Sequence, residues 1–357
     1  MTVAETGLPV DAVRAVAARW LPRLGDDDFV CSPAGLWLAL GAVAAGAGGG
    51  TAKELGALLG VPGEEAAGAV TGLGRALGAG GAVAVATGVW SRVPVHAAYR
   101  EALPEVGFGA LEGQEPVDAW VREATGGLIE RLPLSLGPGA ALVLVNALAL
   151  KAVWQARFDP AHTRPEPFTD GYGDTASVPT MHRLLPGSWA WRVGAATVVD
   201  LPCEGPVRVR LVLGEERDGP EVLPAAWAEP ERRTPLDADG VELALPRFSV
   251  RTTVDVHAQL AALGVTEATD PERADFSGLS PQPLYVSDAA QEAYVRVAEE
   301  GVEAAAVTAV VMTRGAAAPR LRRVERVAFD RPFGFAVLDA AGELPIFAGW
   351  RSSAPGG

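Results

Sequence analysis

The sequence predicts an α+β fold, and three stretches predict it. Residues 10–21 repeat apolar side chains at helical spacing, as do Val117, Trp120, Val121, Ala124, Leu128 and Leu132. Residues 141–151 form an apolar run of the length and composition of a strand buried on both faces. Ala293-Tyr294-Val295-Arg296-Val297 alternates as a half-buried strand does, and runs straight into Glu299. At 357 residues the length alone suggests about two domains. No linker, internal repeat or low-complexity stretch marks a boundary between them.

Composition narrows the function classes. With 49% hydrophobic residues the chain can bury a large core. A net charge of -14 argues against nucleic-acid binding, which needs clustered Lys and Arg. Lysine occurs only at Lys53 and Lys151, so arginine carries nearly all the positive charge; we read this as genome composition. Cys31 and Cys203 sit far apart in apolar contexts and read as two buried free thiols, with a single disulfide as the alternative. His96, His162, His182 and His257 lack metal-ligand spacing, so neither a metal nor a cofactor is expected. Glu5, Asp11, Arg14 and Arg19 interrupt every apolar run of a secretory leader, which implies a cytoplasmic protein, or a secreted one if a leader has been removed.

Taken in order, residues 10–21 form the first helix, and Phe29-Val30-Cys31 leads into Ser32-Pro33. A capping serine followed by proline at the first helical position opens a helix. The uncharged run 34–52 approaches membrane-spanning length but is loaded with Gly and Ala, so it reads as a buried helix rather than a membrane span. Gly46 to Gly50 with Thr51 and Lys53 hints at a phosphate loop. That motif needs a preceding strand and Lys before Ser or Thr; here a helix precedes, and Thr51 reads as the cap of the next helix. Residues 83–93 have strand composition. Residues 333–338 and 346–350 make a closing strand pair around Gly342.

The segment 299–312 is Glu-Glu-Gly-Val-Glu-Ala-Ala-Ala-Val-Thr-Ala-Val-Val-Met. Its alanines favour a helix, yet alternate positions also suit a sheet. Val302, Ala304, Ala306, Thr308, Val310 and Met312 would face one way, and Glu303, Ala305, Val307 and Ala309 the other. The segment is small enough to run as a loop and patterned well enough to become a strand.

Residues 299–308 resemble the reactive-loop hinge of the serpins, Glu-Glu-Gly-(small)-Glu-Ala-Ala-Ala-x-Thr. Glu299, Glu300, Gly301, Glu303, Ala304, Ala305, Ala306, Val307 and Thr308 match, and Val302 stands where Ser or Thr is usual. Asn146-Ala147-Leu148-Ala149-Leu150-Lys151-Ala152-Val153-Trp154 resembles the family's Asn-Ala-x-x-Phe-Lys-Gly-x-Trp. Asp118-Ala119-Trp120-Val121, Leu245-Pro246-Arg247-Phe248 and Phe329-Asp330-Arg331-Pro332-Phe333 keep the family order, so the resemblance spans the chain. It implies a single domain over 1–357 with three β-sheets, the largest central, about eight to nine helices, and a reactive loop at about 299–325. The resemblance is taken to be to a bacterial, actinobacterial-like member.

The resemblance implies an inhibitor of serine endopeptidases that is not itself an enzyme, and no Gly-x-Ser-x-Gly elbow is present. A target protease would attack the loop, and residues of about 301–314 would enter the central sheet as a new strand. It also places Ser32, Asn146 and Gln291 in a shutter beneath that sheet, and Trp154 at the breach where the loop enters. Gln291 stands where the family commonly has histidine, and Gly35 where it has serine; Gln291 is expected within reach of Asn146 or Ser32. Arg314–Gly315 would suit a trypsin-like protease and Gly315–Ala316 an elastase- or subtilisin-like one. Counting back from Phe333 gives Arg320–Leu321 instead. The partner is a serine protease, with no nucleic acid or membrane, and the protein a monomer. The alternative is a non-inhibitory binding, carrier or chaperone-like member, whose hinge would carry bulky, charged or proline residues.

Overall fold

A computed structural model of the protein describes residues 7–131, 140–215, 218–302 and 323–355. The stretch after Ser32 becomes helix Pro33–Ala44, with every residue buried. The Ser32 hydroxyl caps it by accepting from the Gly35 amide, and Pro33 occupies a first-turn position that needs no N–H donor. The first helix is Val10–Trp20, and Leu21 continues it as a 3-10 turn.

The strands form three sheets, and this helix packs against Val83–Ser91 and Leu142–Leu150 of one and Pro345–Arg351 of another. The central one places Gly107–Ala110, Val83–Ser91, Leu142–Leu150, Val286–Val297 and Phe248–Asp255 side by side. Leu142–Leu150 is antiparallel to Val83–Ser91 but parallel to Val286–Val297, and this parallel join is the seam of the sheet. A second sheet orders Phe29–Cys31, Pro345–Arg351, Phe333–Asp339, Val207–Leu213, Ala196–Pro202, Ala190–Val193 and Thr234–Pro235. The third orders Val324–Ala328, Gly240–Pro246, Thr175–Pro186 and Arg164–Thr169. Among the described residues the helical elements are seven α-helices and seven 3-10 segments.

The apolar run near 141–151 is buried on both faces, as its sequence requires. Leu142, Leu144, Leu148 and Leu150 join the main core, whereas Val143, Val145 and Ala147 face a separate front cluster. Helix Gln114–Ala124 forms that front layer, inserting Val117 and Val121. Its Trp120 lies flat against two glycines: a Cβ on Gly88 or Gly107 would come within 2.8 Å or 2.4 Å of the indole.

Two expectations need correction. Helical spacing through Leu128 and Leu132 suggested a longer front helix, but it ends at Ala124. Gly126 and Gly127 take left-handed φ values of 62° and 84°, which stop the helix, and Leu132 lies outside the described residues. Thr51 does not cap the next helix, Gly49–Leu59, which starts two residues earlier after Gly48. Instead its hydroxyl accepts from the Asp275 amide at 3.0 Å, and the Gly48 amide donates to the Asp275 carbonyl at 2.9 Å. The Asp275 carboxylate fills the space of a Gly48 side chain, so the glycines serve close approach of this loop. Among the described residues no helix is long and apolar enough to cross a membrane.

Gly107→Ala should lower stability to urea by about 1–3 kcal/mol, because its methyl has no room beneath Trp120. Gly68→Ala, in an open position of helix Gly63–Gly78, should raise it by about 0.5–1 kcal/mol. Equilibrium urea unfolding of both variants checks the contrast.

Candidate functional site

The strand Val286–Val297 ends in a tight turn where the Ala298 amide donates to the Gly301 carbonyl at 2.9 Å. The turn returns the chain as the two-residue strand Gly301–Val302. Val302 pairs antiparallel with Val297 on one side and Ala152 on the other, and is fully buried. A Cβ at Gly301 would lie 2.0 Å from the Ala152 carbonyl oxygen, so only glycine admits this approach.

Trp154 supports the turn from beneath. It is 1% exposed, its indole N–H donates to the Ala298 carbonyl at 2.8 Å, and its amide donates to the Glu300 carbonyl at 3.0 Å. The Phe158 amide donates to the Glu299 carbonyl at 2.9 Å, and the two rings meet edge to face. The turn is thus pinned by backbone and indole bonds alike.

Glu299 anchors the turn through its side chain. Its carboxylate accepts from Arg247 Nε at 2.7 Å and from Thr163 Oγ1 at 2.6 Å, and Arg247 Nη2 joins the same oxygen. Burial pushes this carboxyl up, but the hydrogen bonds from Arg247 and Thr163 outweigh it and hold the pKa below the ordinary value. Arg247 and Thr163 were not singled out from sequence as partners of the hinge. Arg247 lies 52 residues before Glu299, and nothing local to either residue signals the pairing.

Beneath the seam, the three shutter candidates meet. Gln291 stands directly opposite Asn146 across the parallel join. Its Nε2 donates to Asn146 Oδ1 at 2.8 Å and to the Ser32 carbonyl at 2.9 Å, while its Oε1 accepts from the Ser32 amide at 2.6 Å. Asn146 Nδ2 then donates to Thr87 Oγ1 at 3.0 Å, and the Ser32 hydroxyl donates to the Ile346 carbonyl at 2.5 Å. Gln291 therefore reaches both of its expected partners. Asn146 Oδ1 occupies the position a Gly35 Cβ would take, 2.1 Å from it, so glycine here lets the carboxamide approach the helix.

Cys31 and Cys203 are free and buried. Burial pushes the Cys31 thiol well up and is the main cause of raising Cys203 to about 12, so both stay protonated at neutral pH. Glu303, Ala304, Ala305, Ala306, Val307 and Thr308, and the cleavage candidates Arg314, Gly315, Ala316, Arg320 and Leu321, lie outside the described residues.

The family model for Serpin (serine protease inhibitor) matches residues 10–353. Serpin B6 of Macaca fascicularis is 31% identical over 267 residues, which cover 71% of this chain and 70% of that protein. The crystal structure of Serpin48, a highly specific serpin of the insect Tenebrio molitor, superposes with a TM-score of 0.82 at 25% identity, covering 99% of this chain and 100% of that one. Human thyroxine-binding globulin superposes with a TM-score of 0.82 at 24% identity, covering 97% and 99% of the two chains, a likeness of fold alone.

Gln291→Leu strands the buried Ser32 amide and Asn146 Oδ1, while the Ser32 carbonyl keeps the Leu36 amide as donor. It should destabilise the protein by about 2–4 kcal/mol in urea unfolding. A separate test concerns pH. A carboxyl with a depressed folded pKa contributes stability above its unfolded pKa, and the contribution is lost as pH falls through the folded value. Glu299→Gln should therefore lower stability by about 1–2 kcal/mol at pH 7. The gap to wild type should close below about pH 4.3, as read from melting curves across pH.

Proposed function

The chain belongs to the serpin family, and we propose that it inhibits serine endopeptidases by cleavage-triggered insertion of residues of about 301–314 into its central sheet. The observation that carries this reading is the seat of Val302. It already lies between the two halves of the sheet, hydrogen-bonded in register and antiparallel to both neighbours. Residues that follow it in the same direction would separate Leu142–Leu150 from Val286–Val297. One parallel ladder would then be exchanged for two antiparallel ones, and antiparallel pairing is slightly more stable per residue.

Side-chain size supports the same reading. The positions alternating with Val302 are Ala304, Ala306, Thr308, Val310 and Met312, which carry neither charge nor proline. Burying Val310 and Met312 contributes about 1.5–3 kcal/mol each, and each new backbone bond about 0.5–1.5 kcal/mol. On insertion Glu303, one position out of that alternation, would face the other way. The intact form is then held by a barrier rather than by being the most stable arrangement.

The chemistry begins in the protease, whose serine attacks the scissile carbonyl. The amine of the following residue leaves, and an ester links the protease to the residue before the cut. Insertion carries that ester away from the freed amine before water hydrolyses it. Cleavage after Arg314 fits a trypsin-like specificity pocket, and cleavage after Gly315 an elastase- or subtilisin-like one. Residues 1–357 act here as a single unit, with a loop of about 299–325, and as a monomer. The near absence of lysine supports a bacterial source.

Incubation with trypsin, subtilisin and elastase should give a complex that survives denaturing electrophoresis with one of them. The mass of the released C-terminal peptide then names the cleaved bond. Clean cleavage without complex by all three would contradict the proposal. Thr308→Arg must bury an unpaired charge during insertion. It should shift the outcome from complex to cleaved inhibitor by at least about tenfold on the same gels, the effect of about 1.4 kcal/mol at the branch point.

A further inference from the structure

Insertion requires the sheet to open along the seam between Leu142–Leu150 and Val286–Val297, and the front layer lies beside that seam. Helix Gln114–Ala124 and its exit turn rest on an apolar cluster of Val117, Val121 and Ile129 with Trp90, Val143 and Val145. The sheet residues in this cluster all come from Val83–Ser91 and Leu142–Leu150. The front layer is therefore seated on one half of the sheet.

On the other half, Arg251 of strand Phe248–Asp255 reaches across its neighbour strand. Its Nη1 donates to Glu292 Oε1 at 2.7 Å, and its guanidinium stacks over the Tyr294 ring at 4.6 Å. Its Nη2 donates to the Leu128 carbonyl at 3.0 Å, in the exit turn one residue before Ile129. Glu292 is 4% exposed; burial pushes its carboxyl up, and Arg251 is the cation that opposes this. A planar guanidinium can serve the carboxylate and the carbonyl together.

We propose that Arg251 is a positioning residue, a clasp that ties the front layer to the far half of the closed sheet and slows strand insertion. This rests on the reading of the chain as a loop-inserting inhibitor. Adding one strand moves the halves apart by roughly 4.8 Å, more than the Arg251–Leu128 bond can span. The bond must break, or Ile129 must lift from Val143 and Val145. The clasp stabilises the closed sheet and contributes nothing to the expanded one. Because Arg251 is about half exposed, the effect is a modest kinetic one.

The test uses the intact protein and a synthetic peptide copying residues 301–314, with incorporation followed on native gels. Arg251→Gln should speed incorporation by about three- to tenfold, the range of one partly exposed charge-assisted bond. It should lower the urea midpoint of the intact protein more than that of the loop-nicked protein, where only the Glu292 pair within one half of the sheet is lost. Arg251→Lys, which keeps a charge beside Glu292 but loses the planar fork, should fall between. An unchanged incorporation rate, or equal loss of stability in intact and nicked forms, would overturn the clasp while leaving the inhibitor reading intact. If the wild type takes up no peptide and gains no stability on nicking, the inhibitor reading fails, and the clasp with it.

Discussion

The Gln291 carboxamide bonds at once to Asn146 on the opposite half of the central sheet and to both backbone groups of Ser32 at the start of the buried helix. The two strands of the seam and the start of the buried helix are joined at this point. Gln291 and Asn146 face each other across the seam, so a strand entering between them must break a bond of 2.8 Å. In a buried interior such a bond is strengthened by its neighbours, and its groups are costly to leave unpaired. That penalty falls on the opening step and gives a physical basis for a closed sheet held by a barrier.

The hinge is built on a different principle. Gly301 and Val302 already pair between the two halves, a nucleus from which the proposed insertion would propagate. Glu299, Arg247, Thr163 and Trp154 fix that nucleus in place. The two controls respond differently to acid. Gln291 does not titrate, so the join beneath the seam is indifferent to pH, whereas the Glu299 anchor depends on an ionised carboxylate.

Much of this arrangement was legible because it rests on local pattern. Ser32-Pro33 marked a helix start, the double-sided apolar run marked the strand beside the seam, and alternation through Val302 marked a segment able to enter a sheet. The Gln291–Asn146 contact was legible only through family resemblance. The Arg247–Glu299 pair was not read, since its members meet through tertiary packing. The front helix was read too long because Leu128 continues the apolar period past Gly126 and Gly127, whose backbone conformation decides the end. Thr51 was misread because its partner, Asp275, comes from far along the chain.

The most direct measurement is the melting temperature of the protein before and after a single cut between residues 303 and 322. A closed sheet waiting for its missing strand predicts a sharp rise on cutting, because the released segment completes two ladders. An unchanged or lower melting temperature would mean that Val302 ends the pairing rather than beginning it, and would contradict the account.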